Sequence, residues 1–197
     1  MSSNRAIFIL VGVILGGLVG FKLSDFAASY YFLERGGIVK NGWRYSTEWG
    51  TVEPPSLKAA AFAKHVMFGN SAEEAVYYLA TSDGSGGKRY RLHFGADEIP
   101  DVGAFWSLTM YHGDLPYNLV ANEENKYVIS DRAPGIKFND DGSLDVLIQH
   151  ARPADEDIAN WLPAPDGPIM MALRTYIPGA DIREGRYAPP ELTLDSD

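Results

Sequence analysis

Four histidines are the side chains of this sequence that are best suited to proton transfer or metal binding. They are His65, His93, His112 and His150, and they stand on four different predicted elements. No two of them have the H-x-H or H-x-x-x-H spacing that places two imidazoles on one face of a strand or helix. The remaining metal hypothesis combines His112 with His150, but a hydrogen-bonded core histidine is the favoured interpretation of His150. We therefore expect neither a metal ion nor a cofactor.

His150 is also the centre of the one catalytic hypothesis that the residues support. It could act as a general base beside Asp131 or Arg132, although the spacing does not fix their geometry. The sequence has no G-x-S-x-G motif of the serine hydrolases. The run G-S-G-G-K is not a phosphate loop, because Ser82 replaces its first glycine and Arg89 replaces the Ser or Thr that would hold magnesium. The residues therefore favour a non-catalytic domain.

Six polar and aromatic side chains are the candidates for ligand binding. They are Tyr111, Arg132, Gln149, His150, Asn160 and Trp161. Trp161 begins a proline-rich loop, where a large aromatic either closes the end of a β-sandwich or lines a groove. Gln149 and Asn160 could hydrogen-bond a sugar or satisfy backbone groups of the loops. For each residue taken alone, the structural role is favoured.

The composition predicts one folded domain that does not bind nucleic acid. The 197 residues are 46% apolar, which is enough for a core, and include 20 glycines and 12 prolines, which suits a fold with many turns. A formal net charge of −9 would repel a phosphate backbone. The absence of cysteine excludes disulfides, thiol catalysis and thiolate metal sites.

The N-terminal segment predicts a membrane anchor. Residues 6–21 are uncharged and apolar, slightly short of the roughly 20 residues that span a bilayer. Arg5 precedes this run, whereas Asp25 and Glu34 follow it. By the positive-inside rule, the N-terminus lies in the cytoplasm and the rest of the chain in the periplasm of a bacterial cell.

A cleaved signal peptide is the alternative interpretation of the same segment. Cleavage needs two small residues just after the apolar run, and the best match, Ala27 with Ser29, lies in an aromatic stretch that suits it poorly. We therefore expect an uncleaved inner-membrane anchor over residues 1–24, followed by a juxtamembrane stalk over residues 25–37.

Three glycines mark one face of the predicted anchor helix. Gly12, Gly16 and Gly20 recur every fourth residue, and such a stripe lets a second helix approach closely. Glycine is also simply common in membrane helices. The stripe predicts a helix partner, either a second copy of the chain or another subunit of a membrane complex.

Two short helices are expected to open the globular domain, which extends over residues 38–190. The first covers residues 57–68, with Pro54-Pro55-Ser56 before it and Gly69 as its stop. The second covers residues 72–81, because Ser71 and Glu74 form an S-x-x-E capping box. Together they predict a helical hairpin over residues 56–81.

The rest of the domain is predicted to be β. We expect strands over residues 38–46, 88–94, 105–111, 126–130, 136–139, 144–150 and 169–176. Residues 82–87 are expected to form a flexible hairpin loop, 140–143 a hairpin turn, and 191–197 an acidic tail without structure. Short strands at this spacing predict an antiparallel, jelly-roll-like sandwich.

A family resemblance is carried by three stretches of the sequence. They are GAFWSLTMY at 103–111, NKYVISDRAPGIKF at 125–138 with its continuation to 144, and IQHARP through NWLPAPDGP at 148–168. In this order and spacing they resemble the DUF1214 domain, an uncharacterised bacterial family often paired with a second domain, DUF1254. The resemblance covers about residues 100–190, and the DUF1254 domain is absent or reduced to the predicted helical hairpin. The resemblance implies a jelly-roll-like fold, an envelope location and no established activity.

The sequence therefore predicts a membrane-anchored periplasmic domain without a recognisable reaction. A non-catalytic binding module or an accessory subunit of an inner-membrane complex is the favoured function. An enzyme that acts on a small polar or carbohydrate substrate through His150 with Asp131 or Arg132 is the alternative.

Overall fold

The computed structural model of the chain describes residues 2–51, 56–66, 69–83, 87–114 and 117–195. Its elements are α1 (Ser2–Arg35), β1 (Ile38–Lys40), β2 (Trp43–Tyr45), α2 (Leu57–Val66), β3 (Ala75–Ser82), β4 (Tyr90–Phe94), β5 (Val102–His112), β6 (Val128–Ser130), β7 (Leu144–Gln149), β8 (Trp161–Pro163), β9 (Ile169–Pro178), α3 (Ala180–Arg183) and β10 (Leu192–Leu194). The chain divides into two compact units, one of residues 1–36 and 52–68, and one of residues 37–51 and 69–197.

The first unit is dominated by α1, which is long and apolar enough to cross a membrane. Its 34 residues extend for about 50 Å at about 1.5 Å per residue, compared with about 30 Å for the apolar core of a bilayer. The predicted stalk is therefore helical as far as Arg35, where the Gly36 N–H bonds to the Phe32 carbonyl. The apolar N-terminal helix is confirmed as a candidate membrane anchor or signal sequence.

Helix α2 packs on the part of α1 that follows the apolar run. Lys64 Nζ lies 2.5 Å from the Asp25 carboxylate and 2.7 Å from the Ser29 hydroxyl. The His65 ring stacks on Phe32 with 4.5 Å between ring centroids, and burial lowers the pKa of His65. The predicted helix over 57–68 is thus confirmed over its described residues.

The second unit consists of two sheets that share one hydrophobic core. The larger sheet has the strand order β1-β2-β3-β9-β5-β6 and the smaller has the order β10-β4-β7-β8. Every pair is antiparallel except β7 with β8, which is parallel. Along β5, Trp106, Leu108 and Met110 alternate into the core and are almost completely buried. The mainly β class is confirmed, whereas the jelly-roll strand order stays a prediction.

The second predicted helix, over residues 72–81, is wrong, because this segment contains β3. The Ser71 carbonyl accepts hydrogen bonds from the N–H groups of Glu74 and Ala75, so the capping residues form a single turn that does not continue. Beyond it, Val76 and Tyr78 alternate into the core, and β3 pairs with β9 along its whole length. Tertiary pairing and burial of these β-branched and aromatic side chains outweigh the local helix signal.

Three smaller predictions also need correction. Residues 136–139 form no strand, and the tail contains β10, which pairs with β4. The strands on either side of residues 82–87, β3 and β4, belong to different sheets and do not pair as the predicted hairpin. Residues 84–86 of that loop, and the predicted helix flanks at 54–55 and 67–68, lie outside the described residues.

Candidate functional site

A cavity of about 280 Å³ lies in the second unit, where β5 and β7 end and β9 begins. It is lined by His112, Asp114, Val120, Ala121, His150, Pro165, Asp166, Gly167 and Pro168. The volume is close to the lower limit of about 300–1,000 Å³ that is typical of small-molecule sites. A smaller cavity of about 160 Å³ lies beside β2 and has a single charged lining residue, Glu191.

Two loops hold the cavity walls at a fixed separation. The Gly113 N–H donates to the Pro168 carbonyl at 2.7 Å, and the His112 N–H donates to the Asn118 carbonyl at 2.9 Å. A Cβ atom on Gly113 would lie 2.8 Å from Pro168, so only glycine permits this close approach. Prolines 165 and 168 restrict the facing loop further.

The hydrogen bond of His150 determines which of its ring nitrogens can accept a proton. Nδ1 lies 3.0 Å from the Ala164 carbonyl, which can only accept a hydrogen bond. In a neutral imidazole the proton therefore resides on Nδ1, and the unprotonated Nε2 remains an acceptor. The predicted core position of His150 is wrong, because its side chain is exposed at the cavity.

The other polar side chains of the cavity can also accept hydrogen bonds. Asp114 and Asp166 contribute carboxylates, and His112 contributes a second imidazole; all three residues are exposed. Within the part of the chain that the structure describes, no three His, Cys, Asp or Glu side chains are grouped to hold a metal ion. The arrangement suits a ligand that donates hydrogen bonds.

The structure does not bring Asp131 and Arg132 to His150. Asp131 Oδ1 accepts a hydrogen bond from the Trp106 N–H at 3.2 Å, and Arg132 Nη2 donates to the Ala104 carbonyl at 2.5 Å. Trp106 and the cavity residue His112 are separated along β5 by about 20 Å, at about 3.3 Å per residue. The carboxylates that share the cavity with His150 are instead those of Asp114 and Asp166.

Three other predicted ligand-binding residues make hydrogen bonds within the protein. Asn160 Oδ1 accepts from the Lys137 N–H, and its Nδ2 donates to the carbonyls of Lys137 and Asp145. Trp161 is 3% exposed and donates from Nε1 to the Gln149 carbonyl at 2.9 Å. The Gln149 side chain is buried and donates to the Ala151 carbonyl. In each of these contacts the side chain bonds to a backbone group of the protein.

Tyr111 lies on a different surface, the face of the larger sheet that points away from the core. Its hydroxyl accepts a hydrogen bond from Arg174 Nη2 at 2.8 Å. Arg174 is not among the residues predicted from the sequence, although a cation in the middle of the apolar stretch 169–176 is a visible signal. Asp114 and Asp166 are not among them either, because nothing local relates them to His112 or His150.

His93 is paired on the outer face of the smaller sheet. Its Nδ1 lies 2.9 Å from Asp145 Oδ1, and Arg91 Nη1 lies 3.8 Å from the same oxygen. Burial alone would raise the pKa of Asp145, but hydrogen bonds from Asn139 and His93, together with nearby positive charge, lower it below its ordinary value. His93 is therefore a useful comparison for His150, since it is an imidazole outside the cavity.

Comparison with known proteins identifies a family but no activity. Residues 74–180 match the DUF1214 family, described as a protein of unknown function. No functionally curated protein matches the chain.

Two solved structures resemble the fold. The crystal structure of the VPA0106 protein from Vibrio parahaemolyticus has a TM-score of 0.62 and 25% identity, covering 77% of this chain and 40% of that protein. An uncharacterised protein from Burkholderia cenocepacia has a TM-score of 0.50 and 15% identity, covering 86% of this chain and 38% of that protein. The chain thus spans about two fifths of the length of these structures.

Proposed function

The chain belongs to the DUF1214 family, and from that premise we propose that it is a membrane-anchored binding domain. Its ligand is a small polar molecule, rich in hydroxyl or amino groups, that enters the cavity between His112 and His150. One observation carries the proposal, namely that His150 lines a cavity with two carboxylates while its Nδ1 lies 3.0 Å from the Ala164 carbonyl, which in a neutral ring leaves Nε2 as the acceptor.

The chemistry of the cavity selects the ligand class. Two carboxylates and an accepting imidazole nitrogen can bind ammonium or hydroxyl donors, whereas they would repel an anion. The apolar contribution of Val120 and the prolines at 165 and 168 suits the carbon skeleton of such a ligand. An amino sugar combines these properties, and glucosamine is therefore a suitable probe.

Titration calorimetry on the full-length chain in detergent tests this proposal. We expect glucosamine to bind, and we expect His150→Ala to weaken the association about tenfold, because one hydrogen bond to a charged or polar donor contributes about 1.4 kcal/mol. His93→Ala is the matched control and should bind normally. Absence of binding, or an equal loss in the two variants, contradicts the proposal.

An enzyme is the second candidate, favoured by the same Nδ1 contact, which in a neutral ring leaves Nε2 of His150 able to accept a proton. Such an enzyme would use His150 as a general base with a carboxylate of the cavity, Asp114 or Asp166, as the neighbouring group. Time-dependent breakdown of a bound amino-sugar oligomer, abolished in His150→Ala, would establish catalysis. Stable binding without turnover supports the binding domain instead.

The anchor is proposed to remain uncleaved, with a cytoplasmic N-terminus and a periplasmic domain. Arg5 before the apolar run, and Asp25 and Glu34 after it, support this orientation. Because the chain has no cysteine, single introduced cysteines can report the orientation of the chain in the membrane. A membrane-impermeant maleimide applied to intact cells should label Thr193→Cys but not Ser3→Cys. The reverse pattern contradicts the orientation, and loss of the N-terminus from the mature protein contradicts the uncleaved anchor.

A helix partner for α1 is proposed on the glycine stripe Gly12, Gly16 and Gly20, where an added Cβ would meet no described atom within 4 Å beyond its chain neighbours and the adjacent backbone of its own helix. We expect Gly16→Leu to disrupt an association in mild detergent, because the larger side chain prevents close helix approach. Gly17→Leu is the matched control off the stripe. Crosslinking that is equally strong in the wild type and Gly16→Leu contradicts this prediction.

A further inference from the structure

We propose that the outer face of the larger sheet holds a second binding site, in which Arg174 binds the carboxylate group of a small ligand. The outer face is defined by the side chains of β3, β9, β5 and β6 that point away from the core. None of the residues lining the cavity belongs to this site. The two sites also have opposite charge preference, since the cavity carries two carboxylates and this face is centred on a guanidinium.

The strand register places Arg174 in the middle of a polar row. Tyr77 on β3 is opposite Arg174 on β9, which is opposite Ser107 on β5, which is opposite Ser130 on β6. Directly opposed residues on one face have Cβ atoms about 4.5–5.5 Å apart. Across the four strands, Arg174 therefore has one hydroxyl-bearing residue, Tyr77, on one side and two, Ser107 and Ser130, on the other.

Two hydroxyl groups hold the guanidinium in place. Arg174 Nη1 donates to Thr109 Oγ1 at 2.9 Å, and Nη2 donates to the Tyr111 hydroxyl at 2.8 Å. A guanidinium has five N–H donors, so three remain for a ligand. Thr109 and Tyr111 each accept from Arg174, and neither hydroxyl donates to another group among the described residues. Tyr111 is partly exposed, so its O–H group is a further donor beside the guanidinium, whereas Thr109 is buried and positions the guanidinium.

No carboxylate neutralises Arg174 within the described part of the chain. This is notable in a protein with 26 acidic residues and a formal net charge of −9. Arg174 is half-buried, so part of its hydration is lost without an ion-pair partner in return. An anion supplied by a ligand would provide that partner.

The shape of the surface and the geometry of the donors favour a carboxylate on a small molecule. Ala172 is opposite Thr109, and Ser107 is opposite Arg174, so small side chains adjoin the guanidinium. A planar carboxylate can accept two parallel hydrogen bonds from a guanidinium. The guanidinium lies over the Tyr111 ring, with its carbon 5.7 Å from the ring centroid, so an aromatic side chain adjoins the carboxylate-binding group. A uronic acid meets these requirements, and glucuronate is the probe.

Titration calorimetry of the full-length chain in detergent with glucuronate tests the site. We expect glucuronate to bind and glucose to bind at least tenfold more weakly. Arg174→Met should weaken glucuronate binding about 10–100-fold, the range expected for losing charge-assisted hydrogen bonds. His150→Ala should leave glucuronate binding unchanged, and Arg174→Met should leave glucosamine binding unchanged. The proposal for the cavity and the proposal for Arg174 are therefore tested separately.

The outcomes that overturn the proposal are equally specific. Glucose binding as tight as glucuronate, or equal glucuronate affinity in the wild type and Arg174→Met, excludes a carboxylate site at Arg174. If Arg174→Met does not give the circular dichroism spectrum of the wild type, Tyr111→Phe replaces it. That variant keeps the ring but loses one donor and one contact to Arg174, and an undiminished glucuronate affinity there also overturns the proposal.

Discussion

We expect Trp161→Ala to lower the free energy of unfolding by about 3–5 kcal/mol, the usual cost of removing a buried large aromatic side chain. Trp161 is 3% exposed, at the start of β8, which is the edge strand of the smaller sheet. The sequence left two roles open for this residue, closing the sandwich or lining a groove. Trp161 is buried and hydrogen-bonded to the Gln149 carbonyl, so its side chain is held within the protein and does not line an open groove.

Trp161→Phe is the control that separates the contribution of the packed aromatic ring from that of the indole N–H hydrogen bond. The Gln149 carbonyl also accepts from the Ala164 N–H at 3.1 Å, so losing the indole N–H leaves it with a partner. We therefore expect Trp161→Phe to cost only about 0.5–1.5 kcal/mol for the lost hydrogen bond, plus a modest packing loss. Chemical denaturation measures both variants, and equal stability of Trp161→Ala and the wild type would show that Trp161 is not part of the core.

Asn160→Ala is expected to lower the free energy of unfolding by about 1.5–3 kcal/mol. The Asn160 amide pairs with both backbone groups of Lys137, accepting at 2.9 Å and donating at 2.7 Å, and it also donates to the Asp145 carbonyl at 3.0 Å. The Asn160 side chain therefore makes the two backbone hydrogen bonds to Lys137 that a neighbouring strand would otherwise make. Removing it leaves one backbone donor and two carbonyls to compete for water.

Two variants make the Asn160 prediction specific. Asn118→Ala removes an exposed asparagine whose side chain has no hydrogen bond within the described ranges, and it should change stability by less than about 0.5 kcal/mol. Asn160→Asp should be at least as destabilising as the alanine variant, because a carboxylate would face two carbonyl oxygens. A stable Asn160→Asp would contradict the assigned hydrogen bonds.

The strands that bury one face were predictable from the sequence, because their alternation is local. Tyr90, Leu92 and Phe94 are buried as the pattern indicates, and the central strands β5 and β9 follow their predicted positions within a few residues. The apolar N-terminal helix was equally visible, since its signal is composition alone.

The secondary-structure predictions were wrong for segments whose conformation depends on pairing with residues that are distant in the sequence. Residues 75–82 carry a capping signal at their start, yet the partner strands on both sides make them a strand. Residues 136–139 look like a strand, but the backbone of Lys137 pairs with the Asn160 side chain instead. No pattern within either segment contains this information.

The candidate sites show the same limit. His150 was singled out from the sequence, but its neighbours at the cavity come from the end of β5, the loop after it and the loop before β9, and its expected partners Asp131 and Arg132 lie elsewhere on the fold. Arg174 acquires its significance only from the strand register, which places Ser107 and Tyr77 opposite it. Residue type suggested the chemistry, and the fold determined which residues meet.

Nitrogen-15 NMR of the imidazoles, on the full-length chain in detergent micelles, tests the central claim about the cavity most directly. The account predicts that neutral His150 carries its proton on Nδ1, as its bond to the Ala164 carbonyl requires, and that its Nε2 resonance moves when glucosamine is added. The His93 resonances should not move. A proton on Nε2 of His150, or a glucosamine titration that leaves its Nε2 resonance unchanged, would contradict the account.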